Sequence, residues 1–329
     1  MIIGLYKMPN GKKLQEIVKE AKVKKKKNLE VLDKVATDLG FVGDKYYTPG
    51  EKMKEAQPWD FSDNRVYESR SKRKPPTAPT DEELAIYKKY AVLASRYSKN
   101  NGLVLGATPE LRDIMIDENL ICYAVDMSKQ VSDLYSSLMN NKNHKNSKMI
   151  IDNWLDMKFD DNFFSIAMAD ASFCNLPTVE INEKLVKKLS DIVCPKGYVV
   201  TRNISLATIK RVPVKELVMR YRDKKIGFAD FLMALRTVAY LGRIYNQETY
   251  QYDAKKNFEI IEEEYKQGIL NKEEFDAIIG YKNNIINTFY PEKEFIRMFE
   301  KKGFKLVERF EGKSFIFQKY CPMLVFQKI

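Results

Sequence analysis

Between residues 102 and 203 the chain alternates short apolar segments with helical or polar ones, and this rhythm narrows the possible folds more than any other feature. The apolar segments are GLVLG (102–106), ICYAVD (121–126), MIID (149–152), SIAMAD (165–170) and GYVVTRN (197–203). Each is of strand length, too short for a buried helix. Strands that alternate with helices form parallel βαβ units, so the class is α/β, with helices on both faces of the sheet. The segment INEKLVKKLSDIV (181–193) reads as the amphipathic helix before the fifth strand, with Pro195 and Gly197 expected to make the turn between them.

On the N-terminal side, residues 10–40 carry Leu14, Val18, Ala21, Leu29, Leu32 and Val35 at helical spacings, interrupted by the charge run Lys24–Lys27. Residues 41–82 are rich in loop formers. Thr80 then offers an N-cap, and the acidic residues after it suit the first turn of a helix expected over 81–99. On the C-terminal side, residues 205–290 look helical and rich in aromatics, including Tyr221, Phe228, Phe231, Tyr240, Tyr245, Tyr250 and Tyr252. A short helix in PEKEFIRMFEKKGF and two strands, FKLVERF and MLVFQKI, complete the chain, while EGKSFIFQKYCP extends a strand or forms a loop. The expected division is an N-terminal helical and loop extension (1–80) and one main domain (81–329) carrying a helical insertion (205–290). Trp59, Asp60 and Tyr67 are candidates for a flap over the site.

Composition removes several function classes. No apolar run reaches the roughly 18–20 residues needed to span a bilayer, and the opening MIIGLYKM is too short for a signal-peptide core. A cytoplasmic chain that does not enter membranes is expected. Cys122, Cys174, Cys194 and Cys321 lie far apart without C-x-x-C spacing, so buried inert thiols are expected and no metal site. The one histidine, His144, sits in the polar stretch NNKNHKNSK, a poor place for Ser-His or Cys-His catalysis. The net charge of +11 invites nucleic acid as a partner, but 43 of the 56 basic residues are Lys and 13 are Arg. Phosphate and base recognition favour the arginine fork, so nucleic acid is the less favoured partner.

The segment LVLGATPELR (103–112) carries the chemistry. An apolar strand runs into Gly106, where the absence of a Cβ lets the backbone pass close to a ligand. Thr108 is expected to cap the next helix, Pro109 fits its first position and Glu110 suits its positive end. With one glycine, the loop lacks the G-x-G-x-x-G needed to seat a pyrophosphate, and Glu110 would repel one. A cationic, phosphate-free cofactor suits it better. Asp126, 20 residues on at the end of the second strand, can accept both hydroxyl hydrogens of a ribose. Asp156 follows the third strand and Asp170 ends the fourth, so all four positions fall at the carboxyl ends of strands, where open α/β sheets bind ligands.

In this order of segments the chain resembles the class I S-adenosylmethionine (SAM)-dependent methyltransferases, with a G-x-T-P-E variant of the glycine loop. The matching segments are LVLGATPELR, AVDMS, NWLDMKFDDNFFSIAMADAS and PKGYVVTRN, covering roughly residues 80–205. The resemblance implies a Rossmann-like, mostly parallel seven-stranded sheet with a C-terminal antiparallel hairpin, and SAM as cofactor. It further implies that Gly106, Ala107, Thr108 and Pro109 approach the methionine part and that Asp126 and Met127 lie at the ribose. Asn153, Trp154, Leu155 and Asp156 would surround the adenine, with Asp170 and Ser172 facing the methionine or the acceptor. Asp170 is the candidate catalytic residue; it, or a Tyr from the helical insertion, would position the acceptor. Arg112 is expected to pair with Glu110 or Asp113 on the helix surface. No N-P-P-Y or D-P-P-Y follows the fourth strand, which argues against methylation of DNA-base or glutamine amino groups. The acceptor and the oligomeric state are not readable from the residues. A small molecule or peptide acceptor is favoured, with RNA or protein methylation, or a non-catalytic Rossmann-like subunit, as alternatives.

Overall fold

The chain is described by a computed structural model over residues 64–205, 211–240 and 242–329. The helix expected over 10–40, the run Lys24–Lys27, Trp59 and Asp60 lie outside the described residues. Helix α1 (Asn64–Ser71) leads into α2 (Asp81–Ala94), which Thr80 caps through a full capping box with Glu83. Helix α2 ends at Ala94, its last buried position, before the expected end at residue 99.

Three βα units and one strand without a helix follow: β1 (Asn101–Leu105) and α3 (Pro109–Asp117), β2 (Ile121–Asp126) and α4 (Lys129–Ser137), β3 (Ser147–Ile151) alone, then β4 (Phe164–Asp170) and α5 (Val179–Ile192). Strand β5 (Val193–Arg202) begins four residues early. Pro195 and Gly197 therefore lie within it, at a bulge against β4 where Val193 faces Phe164 and Tyr198 faces Ile166. Gly197 is required there, because a Cβ would meet the Ser165 carbonyl at 2.9 Å.

The insertion contains α6 (Val214–Arg222) and α7 (Phe228–Arg236), then β6 (Gln251–Asp253), α8 (Ala254–Lys266), α9 (Lys272–Ile279) and β7 (Ile286–Thr288). It is not wholly helical as expected: β6 and β7 form a two-stranded antiparallel ribbon. Helix α10 (Glu292–Glu300) leads to β8 (Phe304–Phe310) and β9 (Met323–Lys328), and the intervening EGKSFIFQKYCP is a loop with one 3-10 turn.

The main sheet has seven strands in the order β3-β2-β1-β4-β5-β9-β8, parallel from β3 to β5 and antiparallel through β9 and β8. Residues Phe164–Ala169 of β4 are all buried, the continuous apolar pattern of a strand covered on both faces. One face packs Tyr87, Ala91, Leu111 and Met115 of α2 and α3 on Val104, Met168 and Val325. On β9 the alternate residue, Phe326, faces the other way and stacks on Phe299 of α10, with ring centroids 4.0 Å apart. Each such fully buried ring contributes roughly 1.5–3 kcal/mol. Among the described residues no helix is long and apolar enough to cross a membrane.

From β1 the sheet is built outward in both directions, β2 then β3 on one side and β4 then β5 on the other. This is a topological switch point, and the crevice at the carboxyl ends of β1 and β4 is where such sheets bind ligands. Leu105 of β1 pairs with both Val125 and Ala169. The register therefore brings Gly106, Asp126 and Asp170 to one edge.

Candidate active site

A cavity of 180 Å³ opens at that edge, between the strand ends and the insertion. Gly106 lies in its wall with φ +110°, a region that side chains with a Cβ rarely adopt. A Cβ at Gly106 would stand 3.8 Å from Asp126 Oδ2 and 4.0 Å from Trp154 Cζ2, projecting between them into the cavity. Backbone conformation thus requires glycine, and the space in front of it stays open.

Pro109 begins α3 as expected, but Thr108, although in the N-cap position, makes no side-chain capping bond. Thr108 instead lies buried in the cavity wall beside Ala107. Glu110 is not left to meet a ligand alone. Arg73 grips it through Nε at 3.2 Å and Nη2 at 3.0 Å, and stacks over the Tyr135 ring at 4.5 Å. Arg112 is not on the helix surface: it is buried and donates to Ser136 Oγ and Ser147 Oγ. The pairing expected with Glu110 or Asp113 gives way to tying α3 to α4 and β3.

Asp126 accepts the Ser128 N–H on Oδ1 at 2.8 Å, bracing the turn into α4, while Oδ2 faces the open side of Gly106. Burial pushes its carboxyl up to about 6, with the Ser128 hydrogen bond opposing. Trp154 lines the same end, its Nε1 donating to the Val125 carbonyl at 2.6 Å. The Val125 carbonyl also accepts the Gly106 N–H at 2.8 Å, so one peptide group orients both the glycine loop and the indole.

Asp170 is held rather than mobile. Arg202 Nη2 lies 2.8 Å from Asp170 Oδ1, as an ion pair without hydrogen-bond alignment, and Arg202 Nη1 lies 3.3 Å from Glu83 Oε2. All three side chains are at least 95% buried. Burial alone would lower the Arg202 pKa; Asp170 and Glu83 overcome it and raise it. Ser172, also in the wall, donates from Oγ to the Leu105 carbonyl at 2.6 Å, lacing the loop after β4 to the end of β1.

Of the residues expected from sequence, the cavity wall unites Gly106, Ala107, Thr108, Asp126, Trp154, Asp170 and Ser172. Pro109, Met127, Asn153, Leu155 and Asp156 are not in the wall. Met127 and Asp156 are exposed, and Asn153 Oδ1 is used by the Leu155 N–H at 3.0 Å in the turn that presents Trp154. Tyr67 is an exposed residue of α1 and does not line the cavity. Of the insertion aromatics singled out above, Tyr252 alone reaches the wall; Phe231 and Tyr240 are core, and Tyr221 stacks on Phe231.

The far end of the cavity belongs to the insertion. Met233 and Arg236 come from α7, with Thr237 just beyond it, and the β6–β7 ribbon sets Tyr252 directly opposite Asn287. Asn287 donates from Nδ2 to the Cys174 carbonyl at 2.8 Å, pinning the ribbon to the loop after β4. Sequence reasoning missed Arg70, Arg73, Tyr135, Arg236 and Asn287. One signal was available: arginine is scarce in this Lys-rich chain, and four of its 13 arginines line this cavity.

No family model matches the sequence, and no curated protein matches it. Solved structures do match. The CcbJ methyltransferase from Streptomyces caelestis is 11% identical, with 80% of this chain and 96% of that chain covered and a TM-score of 0.51. A putative Zn-dependent alcohol dehydrogenase from Rhodobacter sphaeroides is also 11% identical, covering 76% and 91%, with a TM-score of 0.51. The N-methyltransferase NodS from Bradyrhizobium japonicum, in complex with S-adenosyl-L-homocysteine (SAH), is 10% identical, covering 80% and 98%, with a TM-score of 0.43. The fold is Rossmann-like, of the methyltransferase type. At these identities the likeness concerns the fold, and chemistry has to be argued from the site.

Proposed function

We propose that this chain is a SAM-dependent methyltransferase acting on a small molecule or peptide in the cytoplasm. The observation that carries the reading is the pairing of Asp126 and Gly106 at the switch point. One carboxylate oxygen is braced by Ser128 and the other faces a stretch of backbone that carries no Cβ, with the Trp154 indole beside them. A half-buried carboxylate with one oxygen facing that open side fits the two hydroxyls of an adenosine ribose. The single-glycine loop offers no seat for a pyrophosphate, which separates this cofactor from a dinucleotide.

When bound, SAM supplies a methyl group already activated by its sulfonium. The protein's tasks are therefore to bind, align and exclude water. Asp126 holds the ribose and Trp154 borders the adenine. Asp170, fixed by Arg202, orients the ammonium of the methionine end and, through it, the line of attack. Ser172 keeps β1 and β4 in register beneath it. The buried side chains Met233, Thr237, Tyr252 and Phe289 form the acceptor end, which suits a small acceptor better than a nucleic acid. The four thiols without disulfide partners fit a reducing compartment.

Calorimetric titration with SAM and SAH, with NAD as control, tests the reading. Micromolar binding of the adenosyl ligands is expected. Asp126→Ala should weaken it by about 100-fold, since two hydrogen bonds to a charged acceptor are lost. Binding of NAD in preference to SAH would overturn the assignment. The raised Asp126 carboxyl adds a pH dependence whose sign is definite. The ionised form accepts the ribose hydroxyls, so affinity falls as pH falls through about 6. SAH, which has no group titrating in this window, should bind about tenfold more weakly at about pH 5 than at about pH 7. Asp126→Asn should flatten that profile, and an unchanged slope in the variant would assign the titration elsewhere.

A further inference from the structure

The cavity is lined by four arginines, Arg70, Arg73, Arg202 and Arg236, and by two carboxylates, Asp126 and Asp170. Arg73 is matched by Glu110, and Arg202 by Glu83 and Asp170. Arg236 is different. It projects from the last turn of α7 with its guanidinium carbon 5.6 Å from the centre of the Phe258 ring. Its Nε is sealed from solvent with no hydrogen-bond partner, and among the described residues no carboxylate pairs with it. Burial lowers its pKa, yet a guanidinium does not release its proton in a protein. A partly buried cation without a counter-charge is costly, and an anion that reaches it recovers that cost.

Two neighbours give the position a direction. Asn287, in the same wall, has its Nδ2 committed to the Cys174 carbonyl, while its Oδ1 is buried with no partner. The Tyr252 hydroxyl donates to the Arg236 backbone carbonyl, which fixes the end of α7 against the ribbon. Apolar side chains, Met233, Ile204 and Phe289, complete this end of the cavity. Charge balance points the same way. SAM carries a sulfonium, an ammonium and one carboxylate, a net positive charge, so the cofactor adds no net negative charge to offset Arg236.

We infer that the acceptor is a small organic acid with an aromatic or apolar body, whose carboxylate pairs with Arg236 while Asn287 Oδ1 accepts a hydrogen bond from an N–H or O–H beside it. The planar guanidinium matches a planar carboxylate through two parallel hydrogen bonds. This inference rests on the methyltransferase reading and names the acceptor class of the same site.

Calorimetry of the full chain saturated with SAH tests it, using benzoate as the probe, benzamide as its neutral isostere and inorganic phosphate as a competing anion. Benzoate should bind and benzamide should bind at least tenfold more weakly. Arg236→Gln should reduce benzoate affinity by about tenfold or more. Arg236→Lys, which keeps the charge and loses the fork, should fall between the two. SAH affinity measured on each variant shows whether the fold and the cofactor end are intact. Equal binding of benzoate and benzamide, phosphate binding in place of benzoate, or benzoate affinity unchanged in Arg236→Gln would each overturn the inference. SAH binding with no benzoate response overturns it alone, whereas failure of the wild type to bind SAH overturns the cofactor reading beneath it.

Discussion

Replacing Arg202 with leucine should lower the unfolding free energy by about 3–5 kcal/mol, the cost of leaving buried charges without their partner. The reason lies in how many groups meet at this one guanidinium. Asp170 comes from the end of β4 and Glu83 from the first turn of α2, and both are almost fully buried. Glu83 also accepts the Thr80 N–H at 2.8 Å to close the capping box, and accepts from Gln318 Nε2 at 3.1 Å in the 3-10 turn before β9. Three distant parts of the chain are thus joined through two carboxylates that both pair with Arg202.

In Arg202→Leu those carboxylates would stay buried without the partner that now pairs with them. Urea unfolding of the variant and the wild type at about pH 7.5 measures the loss. A loss below about 1 kcal/mol at neutral pH would mean that the network is not structural in the way described.

Gly106→Val should separate stability from binding. A β-branched residue forced to φ +110° costs about 1–3 kcal/mol of stability. The added Cβ meets Asp126 and Trp154 only at ordinary contact distances, so the protein itself has room for it. On the proposed reading a bound cofactor does not, because that volume lies directly in front of Asp126. SAH affinity should therefore fall by about 30-fold or more while the variant remains folded at room temperature. Denaturation and titration of the same preparation check the pair of effects. Affinity within about threefold of wild type would remove Gly106 from the cofactor wall.

The five parallel strands are legible in the sequence to within a few residues, because each is a short apolar run between polar helical stretches and the sheet is covered on both faces. Where the structure differs, the causes are physical. Pro195 and Gly197 read as a turn because those residues usually punctuate structure, but a bulge against β4 accommodates both inside β5. The β6–β7 ribbon was invisible, since two three-residue strands carry no periodicity of their own. Thr108 reads as a cap for α3, but it makes no capping bond and lies buried in the cavity wall. Arg112 was expected at the surface, and two serine hydroxyls hold it inside.

The amino-acid order by itself determined the α/β class, the strand that ends in Gly106 and the placing of Asp126 and Asp170 at carboxyl strand ends. Local patterns of apolar and turn-forming residues suffice for that, since they act over a few neighbours. The tertiary structure alone decided which charges meet. Arg73 reaches Glu110 across 37 residues, Arg202 reaches Glu83 across 119, and Arg236 and Asn287 come to line one cavity from opposite ends of the insertion. Charges interact through space and through the medium between them, and neither distance nor burial is written in the local sequence.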